Sequence, residues 1–373
     1  MNHYKDRLKK SLIIAFHPRT MTHYVTTYEN TLKKLNKPYD VVFWDRFSNS
    51  ELEKRDNEYI LHHVCTLGGS KIKKIPAFFY FRKQLKYIIS ENSYDKIIVV
   101  NTMPGILLSD VLLTQYRGKY IFDIRDYTYE KYFFYKRRVK QLIKNSFFTA
   151  ISSEGFKSFL GESKKLIINH NISNIEAGVD EPITEVNSKI DCYKQRYTIG
   201  FLGVIRYENE NIKLINSFKD SDQFKFFYAG KMYPDCTLKE YCRISGLKNV
   251  EFAPEFSNED KPWLYKDIDI INAIYGNKML EVKTALPNKL YDAVVFKKPI
   301  LVSSGTYLSD VVEKYGLGIS VDVDKDNVKE KLLKYLDDYD HKQFCLNAER
   351  FLRVVMAEQN EYIKRIEAFV NEC

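Results

Sequence analysis

The strongest constraint on the chain is an alternation, run through twice, of short β-rich apolar segments with segments of helical spacing. In the first series SLIIAF (11–16), YDVVFW (39–44), YDKIIVVN (94–101), KYIFDIRD (119–126), FFTAISS (147–153) and KLIINHN (165–171) read as strands. Between them 21–36, 72–91, 105–116, 129–145 and 154–160 carry helical periodicity. Apolar strands that alternate with helices predict parallel βαβ units, with the sheet covered on both faces. From Ile172 to about Gln195 the periodicity stops, broken by Gly178 and Pro182, as in a linker. A second series then begins, with strands at 197–203, 224–230, 249–254, 268–275, 298–304 and 318–323. Its helices are expected at about 208–218, 237–246, 259–266, 287–296, 306–315 and 326–338. The expected fold is therefore α/β, two doubly wound Rossmann-like domains facing across a cleft. Their bounds read as 1–172, a linker at 173–196, and 197–340, with a helix over 341–373 crossing back to the first domain. A length of 373 residues suits two cores rather than one.

No run of about 18 apolar residues could span a bilayer, which excludes an integral helical membrane protein. The basic N-terminus lacks a small-residue cleavage site after its apolar stretch, so it reads as the first strand of a cytoplasmic protein. The six cysteines are dispersed without a CxxC pair, and reduced thiols are expected. A net charge of +9 favours anionic partners: nucleic acid, phospholipid head groups or a phosphorylated substrate. Segments 71–90 and 131–145 each contain six Lys or Arg and no acid, interleaved with Phe and Tyr. Two readings of them stand: a face resting on an anionic membrane surface, or a solvated basic side over an aromatic core. No nucleic-acid-binding motif occurs, so nucleic acid is not an expected partner. No G-x-G-x-x-G lies between a strand and a helix, which argues against a dinucleotide oxidoreductase.

Ligands of open parallel sheets bind at the carboxyl ends of the strands, and several strand ends here carry suitable chemistry. In ALPNKLYDAVVFKKPILVSSG (285–305) Pro287 suits a first helical turn. The free N–H groups around Asn288 and the positive end of the helix dipole would hold a diphosphate, and Lys289 adds a full charge. Asp292, three residues after Lys289 and on the same helix face, would accept ribose hydroxyls; an ordinary surface Lys–Asp pair is the competing reading. In GFLGVIRY (200–207) Gly203 would let a ligand approach the backbone and Arg206 would clamp phosphate oxygens. Gly230 and Lys231 end the next strand and suit the same cleft.

In the first half, Asp123-Ile-Arg125-Asp126 ends a strand. One carboxylate held by Arg125 and another facing an acceptor hydroxyl would serve deprotonation, with Asp126 the preferred base and His17 and Asp123 the next candidates. An Asp–Arg pair that pins a loop is the equal alternative. Asp267-Ile-Asp269 has the look of a metal-binding Asp-x-Asp but reads as structural, since it opens a buried strand. Positive groups already offset a diphosphate's charge, so neither a metal nor a cofactor is expected.

These stretches resemble the donor domain of the GT-B glycosyltransferases that build bacterial capsular, exopolysaccharide and lipopolysaccharide chains. There a P-x-K-L-Y-(D/E)-A pattern precedes K-P-I, a short loop and a G-x-G turn, and Leu308, Val311, Gly316 and Gly318 continue the match. The resemblance implies transfer of a sugar from a nucleotide-sugar donor to a glycan or lipid-linked acceptor, with the Arg at 206 on the donor diphosphate. It also implies that the D-x-R-D segment lies near the acceptor, and that Ser152, Ser153, His170 and Asn171 occupy recurrent positions. The family's usual lysine five residues after that Arg is here Asn211, with Lys213 a substitute. The two glutamates of the retaining branch fall at Thr284 and Asp292, with Glu281 out of register, so the anomeric outcome stays open. A nucleotide-sugar epimerase of the same fold and a non-enzymatic nucleic-acid-binding protein are the competing functions. The sequence leaves the sugar, base and acceptor unspecified. The expected location is cytoplasmic, peripheral at the inner face of the cell membrane.

Overall fold

A computed structural model of the protein describes residues 10–47, 54–65, 72–170 and 196–372. The linker expected at 173–196 lies, apart from Arg196, outside them. The chain divides into two compact units, Met1–Asn171 with Ala357–Cys373, and Ile172–Met356.

Among the described residues the first unit holds seven parallel strands: β1 (Lys10–Ala15), β2 (Tyr39–Asp45), β3 (Glu58–His62), β4 (Tyr94–Val100), β5 (Tyr120–Ile124), β6 (Phe148–Ile151) and β7 (Leu166–Ile168). Their order is β3-β2-β1-β4-β5-β6-β7, so the winding direction reverses between β1 and β4. Crossovers are made by α1 (Val25–Lys34), α2 (Ile75–Glu91), α3 (Thr102–Leu107), α4 (Ser109–Thr114), α5 (Phe133–Asn145) and α6 (Lys157–Leu160). The apolar runs explain the strands: Leu12–Ala15, Val41–Trp44 and Ile97–Val100 are almost wholly buried. β3 is an addition to the sequence reading. It pairs in parallel at the sheet edge with β2, Val42 opposite Tyr59 and Trp44 opposite Leu61. Its buried Glu58 is ion-paired with Arg19.

The second unit repeats the plan with, among its described residues, six strands, β8 (Tyr197–Leu202), β9 (Phe224–Ala229), β10 (Val250–Ala253), β11 (Ile270–Ala273), β12 (Ile300–Ser303) and β13 (Gly318–Val321). Their order is β10-β9-β8-β11-β12-β13, with the reversal between β8 and β11. The intervening helices are α7 (Glu208–Asn216), α8 (Leu238–Ile244), α9 (Lys261–Lys266), α10 (Leu280–Thr284), α11 (Asn288–Val295), α12 (Tyr307–Tyr315) and α13 (Val328–Asp337). Two details differ from the sequence reading: the short α10 is additional, and Pro287 precedes α11 as its cap, with extended ψ, instead of entering its first turn. The last helix, α14 (His341–Asn371), serves both cores by its 3- and 4-residue spacing. Phe344, Ala348, Phe351 and Val355 join a core of the second unit, and Tyr362, Ile366, Phe369 and Val370 that of the first. No described helix is long and apolar enough to cross a membrane.

Candidate functional site

The turns after β8 and β9 meet backbone to backbone. Gly203 and Gly230 have φ of 121° and 129°, a region that side chains other than glycine's rarely enter. A Cβ on Gly230 would stand 2.1 Å from the Gly203 carbonyl oxygen. Gly230→Ala should therefore combine backbone strain and overpacking, each about 1–3 kcal/mol. A melt in which this variant and the parent coincide would contradict that packing.

Lys289, in the first turn of α11, is 7% exposed. Its ammonium lies 3.6 Å from the ring centroid of Phe201 on β8 and 5.5 Å from that of Tyr275, just after β11. It also lies 3.8 Å from where a Cβ on Gly203 would sit. Among the described residues no carboxylate forms an ion pair with it. Burial lowers its pKa to about 7, the nearby Arg206 and Lys261 push the same way, and Asp292 opposes them. A cation held against two aromatic faces at the carboxyl end of a parallel sheet, beside the backbone of Gly203, is a place for an anion.

Arg206 is exposed, its guanidinium 4.8 Å from the Tyr207 ring centroid. Tyr207 is left-handed at φ 63° and packs on Tyr275, with centroids 4.9 Å apart. An open pocket of about 380 Å³ lies here, lined by Tyr207, Glu208, Glu210, Tyr275, Gly276 and Lys278. Asp292 does not pair with Lys289. Its carboxylate accepts from Lys261 Nζ at 3.0 and 3.2 Å and from Tyr265 Oη at 2.9 Å, both on α9. The structure thus gathers Gly203, Arg206, Lys289 and Asp292, and adds Phe201, Tyr275, Lys261 and Tyr265, which the sequence reading missed. The i,i+4 spacing of Lys261 and Tyr265 could have placed them on one helix face.

Other positions are placed differently. Asn288 opens α11 and is exposed. Lys231 is exposed and 3.8 Å from Glu255. Lys213, the suggested substitute cation, is instead engaged by Asp324 at 2.7 Å and Glu210 at 3.4 Å. The Thr284 hydroxyl donates to the Leu280 carbonyl, and Glu281 is exposed. Asp269 accepts from the Thr198 backbone N–H at 2.8 Å, the structural use expected of it.

In the first unit, Asp123 is 0% exposed; its Oδ2 accepts from Tyr28 Oη at 2.8 Å and Arg125 Nη2 at 2.9 Å, and its Oδ1 is ion-paired with Arg125 Nε at 2.8 Å. Burial pushes its carboxyl up and Arg125 counters this. In this arrangement Asp123 holds Arg125 and cannot reach an acceptor hydroxyl. Arg125 is further fixed by the Tyr24 ring, 4.5 Å from its guanidinium. Asp126 follows and is exposed. His17 sits just beyond β1, its pKa lowered to about 4 by burial and by Arg46. A neutral imidazole so hard to protonate can accept a hydrogen bond but is a weak proton carrier near pH 7. Ser152 donates to the Arg125 carbonyl, Ser153 caps the turn at Gly155, and His170 lies 2.6 Å from Glu358 on α14. Asn171 is outside the described residues.

No protein-family model and no curated protein matches the chain. Solved structures do match along nearly its whole length. HepE of Anabaena, in complex with UDP and glucose, matches with a TM-score of 0.67 at 13% identity over 96% of this chain and 100% of that one. Sucrose-phosphate synthase of Thermosynechococcus elongatus matches with a TM-score of 0.67 at 12% identity over 97% and 95%. The lipopolysaccharide outer core galactosyltransferase WaaB matches with a TM-score of 0.61 at 14% identity over 97% and 99%. The fold is that of the GT-B glycosyltransferases, as the resemblance implied.

Proposed function

We propose that the chain is a glycosyltransferase that moves a sugar from a nucleotide-sugar to a glycan or lipid-linked acceptor in bacterial surface polysaccharide synthesis. The observation that carries this reading is Lys289, a buried cation with no carboxylate partner among the described residues, beside Gly203 and Arg206 at the carboxyl end of the second sheet. The UDP and glucose bound by HepE support the same ligand class. Arg206, Lys289 and the N–H groups around Asn288 hold the diphosphate, which approaches the backbone at Gly203 and Gly230. Asp292 accepts the ribose hydroxyls, and Lys231 lies at the margin. Asp126 takes the acceptor proton. Arg206 and Lys289 offset the diphosphate charge, so no cofactor or metal is required and EDTA should leave the rate unchanged. The test is release of free nucleoside diphosphate from a nucleotide-sugar panel: release that depends on an added acceptor supports transfer. Interconversion of the sugar with no acceptor dependence would instead mark an epimerase.

The lipid-linked acceptor fits a surface of the first unit. At the start of α5, Phe133 and Phe134 are 70% and 82% exposed, next to exposed Lys131, Arg137 and Arg138. On α2, Ile75, Phe79 and Tyr87 are exposed among lysines. Such a face rests on an anionic bilayer by charge and shallow aromatic insertion. The protein should co-sediment with phosphatidylglycerol vesicles at low salt and be released at about 0.5 M salt, where screening is nearly complete. Absence from the vesicle pellet at low salt would remove the membrane from the account.

A further inference from the structure

Asn211, in the first turn of α7, is 0% exposed, and its amide is saturated. The two hydrogens of Nδ2 are shared among the carbonyls of Tyr207 at 3.0 Å, Ile274 at 3.3 Å and Arg206 at 3.4 Å. Oδ1 accepts from Tyr228 Oη on β9 at 2.9 Å and from Asn272 Nδ2 on β11 at 3.0 Å. Asn272 in turn accepts from the Ile274 N–H at 2.9 Å. One side chain thus ties the turn after β8 to the end of β11.

That turn is strained. Tyr207 has a left-handed backbone at φ 63°, a conformation strained for a residue that carries a side chain. Strain of this kind persists where the surroundings over-determine it. Here the two carbonyls of the strained step, those of Arg206 and Tyr207, are both held by Asn211. The step directs Arg206 outward, and the Tyr207 ring packs on Tyr275, which borders Lys289.

We propose that Asn211 is the positioning residue of the donor site: it fixes the Arg206–Tyr207 turn so that Arg206 is already aimed at the diphosphate before ligand arrives. The inference rests on the donor-site reading above. Without Asn211 the turn relaxes, the competent shape becomes a fraction of the population, and apparent affinity falls by that fraction. Asn211 touches no ligand in this role. Lys213 cannot replace it, being held by Asp324 and Glu210.

The test is calorimetric titration of the full chain with the diphosphates of uridine, guanosine, adenosine, cytidine and thymidine. Asn211→Ala should weaken the diphosphate that the parent binds by about tenfold or more, the scale of losing the Arg206 contact. Asn211→Asp keeps the shape but loses the Nδ2 donors, and it should do the same; it also serves if the alanine variant shows no cooperative melt. The decisive readout is coupling. In an Arg206→Ala background, Asn211→Ala should add less than about a twofold loss, because the two act through one contact. Asn216→Ala, on the same helix and bonded to Tyr241, should bind as the parent does. Parental affinity in a folded Asn211 variant, or a full additional loss on top of Arg206→Ala, would overturn the proposal and leave Asn211 a packing residue. If the parent binds none of the five diphosphates, the donor-site reading fails and this proposal falls with it.

Discussion

Replacing Asp126 by Asn should lower turnover about a hundred- to ten-thousand-fold, the usual contribution of general-base assistance, while leaving the nucleotide's affinity near the parent's. The expectation follows from how the end of β5 is built. Asp123 is buried and committed to Arg125 and Tyr28, which leaves Asp126 as the exposed carboxylate of the segment. Arg125 is clamped between Asp123 and the Tyr24 ring, and its carbonyl is held by Ser152, so the backbone leading to Asp126 is fixed. The change is isosteric, and in a variant that melts as the parent does a lost rate is lost chemistry. His17 would be a poor replacement, since a base with a pKa of about 4 has little affinity for a proton at neutral pH. Near-parental turnover of Asp126→Asn with donor and acceptor both saturating would exclude Asp126 as the base.

Lys289→Met should weaken a nucleoside diphosphate about ten- to a hundredfold, the scale of one charge-assisted hydrogen bond of about 1.5–3 kcal/mol, and the monophosphate less. It should also change the pH dependence. Burial brings Lys289 to about 7 in the free protein, with Arg206 and Lys261 pushing it further and Asp292 opposing. An anion bound beside it favours the ammonium and raises that pKa. Binding above about pH 7 therefore takes up a proton, and parental affinity should fall as pH rises from about 7 toward 10. In the methionine variant this component of the pH dependence should be missing. For the unliganded fold the sign is opposite. The folded-state pKa lies below the unfolded one, so the unfolded chain binds more protons between about 7 and the ordinary lysine range, and stability from this group rises with pH there. Equal proton uptake by parent and variant, measured in buffers of different ionisation enthalpy, would show that Lys289 is not the linked group.

Much of the fold is legible in the sequence because its strands are apolar on both faces and its helices carry a 3.6-residue stripe; both are local patterns. β3 escapes such reading: Glu-Tyr-Ile-Leu-His is short, follows the charged run ELEKRD, and its buried Glu58 is paired with Arg19, a partner 39 positions away. The site is legible where strand-end position and residue type coincide, as at Gly203, Arg206 and Lys289. It is not legible where partnership is set by tertiary packing. Asp292 and Lys289 share a helix and a spacing that predicts a pair, yet Lys261, 31 positions before Asp292, takes the carboxylate, and Lys289 turns to Phe201 and Tyr275. Likewise nothing local reveals that Asn211 is a buried hub while Lys213 is committed to surface acids.

A nucleoside-diphosphate site built on the second unit by Arg206, Lys289 and Asp292 can be checked by titrating UDP into the parent and into Arg206→Ala, Lys289→Met and Asp292→Asn by calorimetry. The parent should show a single saturable site. The two cation variants should lose about ten- to a hundredfold for UDP and little for uridine, because their contacts are to the diphosphate. Asp292→Asn should weaken both ligands by a similar factor, because its contact is to the ribose they share. Binding of UDP by all three variants at parental affinity would place the nucleotide elsewhere and contradict the account.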